Sequence, residues 1–170
     1  MGPLPRQDSN HSKMRYPIAP SVNSIPNGYH TVTPYLINEN ASRLIEFLKL
    51  VFDAEEINRL SGPDGRVMHA DLKIGDSMVM VSDASGEWKP MPASIAIYVE
   101  NVDAIYQRAL EVGAVSLREP TDQFYGDRSA GVKDLSGNHW WIATHLEDVP
   151  PEELRLRAER WMKERTRIQV

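Results

Sequence analysis

The densest chemistry in the chain lies in Gln123-Phe124-Tyr125-Gly126-Asp127-Arg128, where an amide, a phenol, a carboxylate and a guanidinium surround one glycine. A guanidinium in this setting offers a bidentate grip on a ligand carboxylate or phosphate, and Asp127 or Tyr125 offers a group that can move a proton. The same stretch also suits an architectural loop, with Asp127 and Arg128 fixing the start of the next strand. A second group lies in Met68-His69-Ala70-Asp71-Leu72. There His69 and Asp71 alternate with apolar neighbours, so a strand would carry one polar and one apolar face. His69, Asp127 and Tyr125 are thus the candidate acid–base residues. By the same alternation His139 and His145 share a face with Trp141. Together with His69 and Asp71 they would supply nitrogen and oxygen donors suited to zinc, but they lack the tight spacing of a zinc motif. A hydrogen-bonded polar wall is the competing reading. His30 falls opposite Thr33 and reads as structural.

Aromatic residues divide in the same way. Trp140 and Trp141 must face opposite sides of a strand, which sends Trp140 to the core and Trp141 to an inner face. Tyr35 and Tyr98 join Trp141 there and would form a wall on which a planar ligand stacks. Met68, Met78 and Met80 read as adaptable packing.

These residues need a scaffold, and the chain supplies one twice. Glu39-Asn40 falls on Glu100-Asn101, Leu44 on Ile105 and Val51 on Val112, and the order of elements repeats with them. The first half reads as a strand over Thr31 to Asn38, then a helix over Ala41 to Phe52 with Asn40 as its N-cap. Strands follow over Glu56 to Leu60, Val67 to Lys73 and Met78 to Ser82, the first two separated by the turn Gly62-Pro63-Asp64-Gly65. The second half reads as a strand over Ser94 to Val99 and a helix over Val102 to Val112, stopped by Gly113. Strands near Val115 to Arg118, Ser129 to Lys133 and His139 to Thr144 complete it. Pro150-Pro151 then opens a last helix over Glu152 to about Arg165, whose first-turn acids and late bases suit the helix dipole.

A length of 170 residues fits one domain or two small halves sharing a core. Lys and Arg total 19 against 24 Asp and Glu, so no overall basic field exists for gripping nucleic acid. The absence of cysteine excludes disulfides, thiolate metal sites and cysteine nucleophiles. No apolar run approaches the roughly 20 residues of a membrane span, and the N-terminus lacks the apolar stretch of a secretory signal. The expected protein is soluble and cytoplasmic, with no membrane or nucleic-acid partner. Prolines among Ser, Asn and Arg mark residues 1–27 as a tail unable to bury a core. The expected globular part covers 28–149, as modules 28–84 and 92–147, followed by a C-terminal helix over 150–170.

The doubled unit resembles the vicinal oxygen chelate superfamily, and particular segments look like the PhnB-like branch of glyoxalase/bleomycin resistance proteins. They are Thr33-Pro34-Tyr35-Leu36, Gly65-Arg66-Val67-Met68-His69-Ala70-Asp71-Leu72, the Asp122 to Arg128 stretch, and Gly137-Asn138-His139-Trp140-Trp141-Ile142-Ala143-Thr144-His145. The resemblance implies an α+β fold of paired βαβββ modules forming a U-shaped sheet around a cavity, in a homodimer whose cavities often draw on both chains. It also implies where a metal would sit, with ligands at the start of each first strand and on each last strand. Those positions fall at Thr33 and Ser94, and near Val79 and Trp141, which do not suit a divalent cation. The expected protein therefore uses neither a metal nor another cofactor. It binds a small organic molecule through Tyr35, His69, Asp71, Tyr98, Gln123, Tyr125, Arg128 and Trp141. The alternative is a glyoxalase-type lyase, isomerase or dioxygenase with a non-standard metal or acid–base site.

Overall fold

A computed structural model of the chain describes residues 22–168, so most of the expected tail, residues 1–21, lies outside the described residues. The first module runs β1 (Tyr35–Asn38), α1 (Ala41–Phe52), β2 (Glu55–Ser61), β3 (Val67–Ile74) and β4 (Ser77–Asp83). The second runs β5 (Ser94–Tyr98), α2 (Val102–Glu111), β6 (Val115–Asp122), β7 (Asp127–Lys133) and β8 (His139–His145), and α3 (Pro151–Ile168) follows it. Each module folds its strands into one four-stranded sheet, ordered β1-β4-β3-β2 and β5-β8-β7-β6. β1 pairs with β4, and β5 with β8, in parallel; the remaining neighbours are antiparallel. This is the paired βαβββ architecture expected from the sequence.

The duplication extends to hydrogen bonds. Asn40 and Asn101 cap α1 and α2, each side chain accepting from the backbone N–H three residues on, both at 3.0 Å. The first N–H of α1 donates to Asp83 at 2.8 Å, and that of α2 donates to Thr144 at 2.9 Å. Leu44, Ile45, Leu48 and Val51 of α1 are all at most 1% exposed against the sheet residues Leu36, Ala70, Leu72 and Val81. Each such side chain contributes about 1.5–3 kcal/mol of burial.

Both sheets turn their apolar faces toward the helices, in a single core. Phe47 and Phe52 of α1 pack on Trp140 of β8, with ring centroids 6.4 and 4.9 Å away. Arg108 of α2 donates to the Val51 carbonyl at 3.1 Å and pairs with Asp53 at 2.8 Å. Among the described residues no strand pair joins the two sheets. Since both helix-covered faces share the core, the two opposite faces are open and turned outward.

Some element ends differ from the expected ones. β1 starts at Tyr35 rather than Thr31, because Pro34 has no N–H to give and the first ladder bond instead runs from Met80 N–H to the Pro34 carbonyl, at 2.9 Å. β6 continues past Arg118 and through Pro120 to Asp122. It is an edge strand with a register shift between Arg118 and Thr121, the setting in which a sheet tolerates proline. The Gly137-Asn138-His139-Trp140 motif is a structural turn. Buried Asp134 accepts from Asn138 and from the Trp140 indole N–H, at 2.8 and 2.9 Å, while Asn138 accepts from Ala93 N–H at 3.0 Å.

Candidate functional site

On the open face of the second sheet, strand pairing sets Ala96, Trp141, Gly131 and Arg118 in one row. The small residues flanking Trp141 let its indole lie down on the sheet. A Cβ on Gly131 would stand 2.5 Å from the indole Cζ3, so only glycine permits this pose. Trp141 Nε1–H donates to Ser94 Oγ at 3.0 Å, which fixes the ring's near edge. The Arg118 guanidinium stands 5.2 Å from the indole centroid and donates to Ser129 Oγ at 2.8 Å. The next row holds Tyr98, Ala143 and Ser129, and Asp127 pairs with His145 beyond it. Apart from Ser94, Gly131 and His145, these side chains bound a cleft of about 350 Å³ together with Tyr125.

Asp127 is 6% exposed and has both oxygens engaged. One accepts from the Tyr98 hydroxyl at 2.9 Å, and the other meets His145 Nδ1 at 2.7 Å. His145 Nε2 reaches Asp148 at 3.1 Å. The bond to Asp127, and then its charge, raise the Tyr98 pKa, so this phenol keeps its proton and presents oxygen lone pairs to the cleft. Bonds to Asp127 and then Asp148 raise the His145 pKa. The arrangement is a hydrogen-bonded chain of phenol, buried carboxylate and imidazole, a set of groups that can hold or move a proton. Gly126 locks the preceding loop to the end of β8. With φ at +99°, its carbonyl accepts from Leu146 and Glu147 N–H at 2.9 and 3.0 Å.

The open face of the first sheet carries Tyr35, Met80, Asp71 and Asn58 in a row. His69 Nε2 bonds Asp71 at 2.9 Å, and its ring meets Tyr35 edge-on, with centroids 5.7 Å apart. Hydrogen bonding to the Asp71 carboxylate, with burial and its charge, pushes the Tyr29 phenol up to about 12. A cleft of about 650 Å³ opens beside Tyr35, Ile37, Met68, Ser82 and Trp88.

A profile described as the glyoxalase/bleomycin resistance protein/dioxygenase superfamily matches residues 29–142. The chain belongs to that superfamily. Uncharacterised proteins of Mycobacterium bovis and Mycobacterium tuberculosis are each 35% identical to it over 134 residues, covering 72% of this chain and 88% and 79% of theirs. Among solved structures, TioX from a Micromonospora species is 27% identical with a TM-score of 0.58, covering 67% of this chain and 97% of TioX. A glyoxalase/bleomycin resistance protein/dioxygenase from Nocardioides is 17% identical with a TM-score of 0.54, over 76% of this chain and 90% of its own, and supports the fold alone.

A divalent metal of the kind this superfamily implies does not fit the donors present. Thr33 Oγ1 donates to the His30 carbonyl at 3.2 Å, and Ser94 Oγ takes the Trp141 N–H. Val79 is 5% exposed on the core side, and the residue opposite Tyr35 on the open face is Met80. The histidine–aspartate donor set is divided by the fold, His69 and Asp71 lying on the first sheet and His139 and His145 on the second. His145 also has both ring nitrogens bonded to carboxylates. Among the described residues no three ligating side chains gather around one point.

The named candidates thus divide mostly between the two open faces. Tyr35, His69 and Asp71 lie on the first open face, while Tyr98, Tyr125, Asp127 and Trp141 line the second cleft. Two candidates lie outside. Gln123 spends its amide N–H on the Thr121 carbonyl at 3.1 Å, within its own turn. Arg128 does not bond Asp127; it is held by Asp103 at 2.7 Å and Asp122 at 2.8 Å, which raise its pKa further. Successive strand residues point to opposite faces, so Asp127 and Arg128 could not share the cleft. The guanidinium that does line it is Arg118, which sequence reasoning missed. Its signal was alternation along β6, readable only once the register against Gly131 is known.

Proposed function

We propose that this chain is a PhnB-like, cytoplasmic, homodimeric member of the superfamily that binds a small organic molecule in an aromatic-lined cavity, without the usual metal site. One observation carries the reading: the position where metal-using relatives place a carboxylate holds Trp141, laid across Gly131 as part of the cleft wall. An indole cannot coordinate a cation, but it offers a flat apolar surface to a ring. The outward-facing clefts support a second copy as the missing wall.

The test is a thermal-shift screen of small aromatic compounds, repeated on Trp141→Ala. Binding at 100 times Kd adds about 2.7 kcal/mol of stability, a readily measured rise in Tm. The expected result is a rise that Trp141→Ala removes. No stabilising compound in a broad aromatic set, together with stoichiometric metal in the purified protein, would overturn the proposal.

A glyoxalase-type enzyme is the second reading, and the Tyr98–Asp127–His145 chain favours it. In that case Asp127→Asn abolishes turnover of a bound compound while leaving its binding within a few-fold.

A further inference from the structure

The cleft of the second module carries a charge pattern that narrows the ligand class. Among the described residues Asp127 is its one carboxylate, and both oxygens are taken by Tyr98 and His145. Among the described residues Arg118 is its one guanidinium and its one cation; a single N–H is committed to neutral Ser129. No acidic side chain among the described residues forms an ion pair with Arg118, whereas Arg128 and Arg157 are each held by two. The charge in the cleft without an oppositely charged partner is therefore positive, on a planar fork whose geometry matches a carboxylate. Next to Ser129, Ala143 and then Ala96 on the far strand leave a low floor between Trp141 and Tyr98, shaped for a flat ring.

We propose that this cleft takes a small planar organic acid, its carboxylate on the free edge of Arg118 and its ring over Ala96 and Ala143. The assignment rests on the small-molecule reading above and adds the anionic head to it. With one cation, the cleft matches the single charge of a carboxylate better than the double charge of a phosphate. The Tyr98 oxygen, whose proton is directed at Asp127, is placed to accept from an N–H or O–H donor on the same ligand.

Calorimetric titration of the full chain with naphthoate, its neutral amide naphthamide and naphthyl phosphate tests the proposal. Naphthoate is expected to bind roughly ten- to a hundredfold more tightly than naphthamide, the scale of a charge-assisted pair, and more tightly than the phosphate. Arg118→Gln removes the preference for acid over amide, and Arg118→Lys restores only part of it, because an ammonium keeps the charge and loses the fork. Arg118 is exposed, so either variant is expected to fold, and an unchanged circular dichroism melt checks this. Equal binding of acid and amide, tighter binding of the phosphate, or a preference that survives Arg118→Gln overturns the anionic assignment while leaving small-molecule binding intact. If none of the three binds, and the wider thermal-shift screen is also empty, the small-molecule reading fails too.

Discussion

Asp127 is nearly buried with both oxygens hydrogen-bonded, and the consequence can be measured on the imidazole it holds. The bond His145 makes to Asp127, reinforced by the one to Asp148, raises its pKa above the 6.5 of a free histidine. The folded state therefore binds this proton more tightly than the unfolded chain does. The pair's stabilising contribution is fully present below pH 6.5 and is lost as pH rises through the higher, folded value. A proton NMR titration of the His145 ring is expected to show a midpoint above 6.5, and Asp127→Asn is expected to lower it. A midpoint at or below the free value, or one indifferent to Asp127→Asn, would show that the carboxylate does not hold the ring. Trp141 makes a related point about side-chain identity. Its pose depends on what Gly131 lacks, so the residue that shapes the cleft floor contributes no atoms to its chemistry.

At the scale of elements, the loop between β6 and β7 shows how a short segment is fixed. A methyl on Gly126 would meet the Glu147 carbonyl oxygen at less than van der Waals distance, and its φ of +99° disfavours any L side chain. Gly65 shares the positive φ, at +80°, but has nothing within 4 Å of the added carbon. Gly65→Ala should then cost only the dihedral strain, about 1 kcal/mol, while Gly126→Ala adds a backbone clash and costs roughly 2–4 kcal/mol. Urea denaturation of both variants checks the difference, and equal losses would remove the clash from the account. The helices were the most legible elements, since Asn40 and Asn101 cap them and the apolar spacing of Leu44, Leu48 and Val51 is local. The strand ends were less so. β6 passes through Pro120 because it lies at the sheet edge, a fact of sheet order that nothing near Pro120 in sequence reveals. The site was legible in its residue types but not in its partners. Tyr98 meets Asp127 and Asp103 meets Arg128 across separations that only the fold closes.

On the scale of the whole molecule, the two clefts face outward from a shared core, and β5 lies at the edge of its sheet, its second side unpaired among the described residues. Its sequence, Ser-Ile-Ala-Ile-Tyr, contains neither charge nor proline, the usual devices that keep an edge strand from pairing. A second copy that brings its first module against this second module would cover the edge and wall the cleft. A two-fold interface of this kind makes two equivalent cavities, each from complementary modules of different chains. Mixed dimers separate this arrangement from cavities closed within one chain. Tyr35→Ala damages only the first module and Trp141→Ala only the second, so each variant alone has no intact cavity. Unfolding and refolding the two together makes about half of the dimers mixed, and each mixed dimer pairs one undamaged first module with one undamaged second module. Ligand binding should then return to about a quarter of the sites, measured by calorimetry on a sample shown to be dimeric by light scattering. A monomer in light scattering, or a mixture that binds no better than its components, would place the cavity within a single chain.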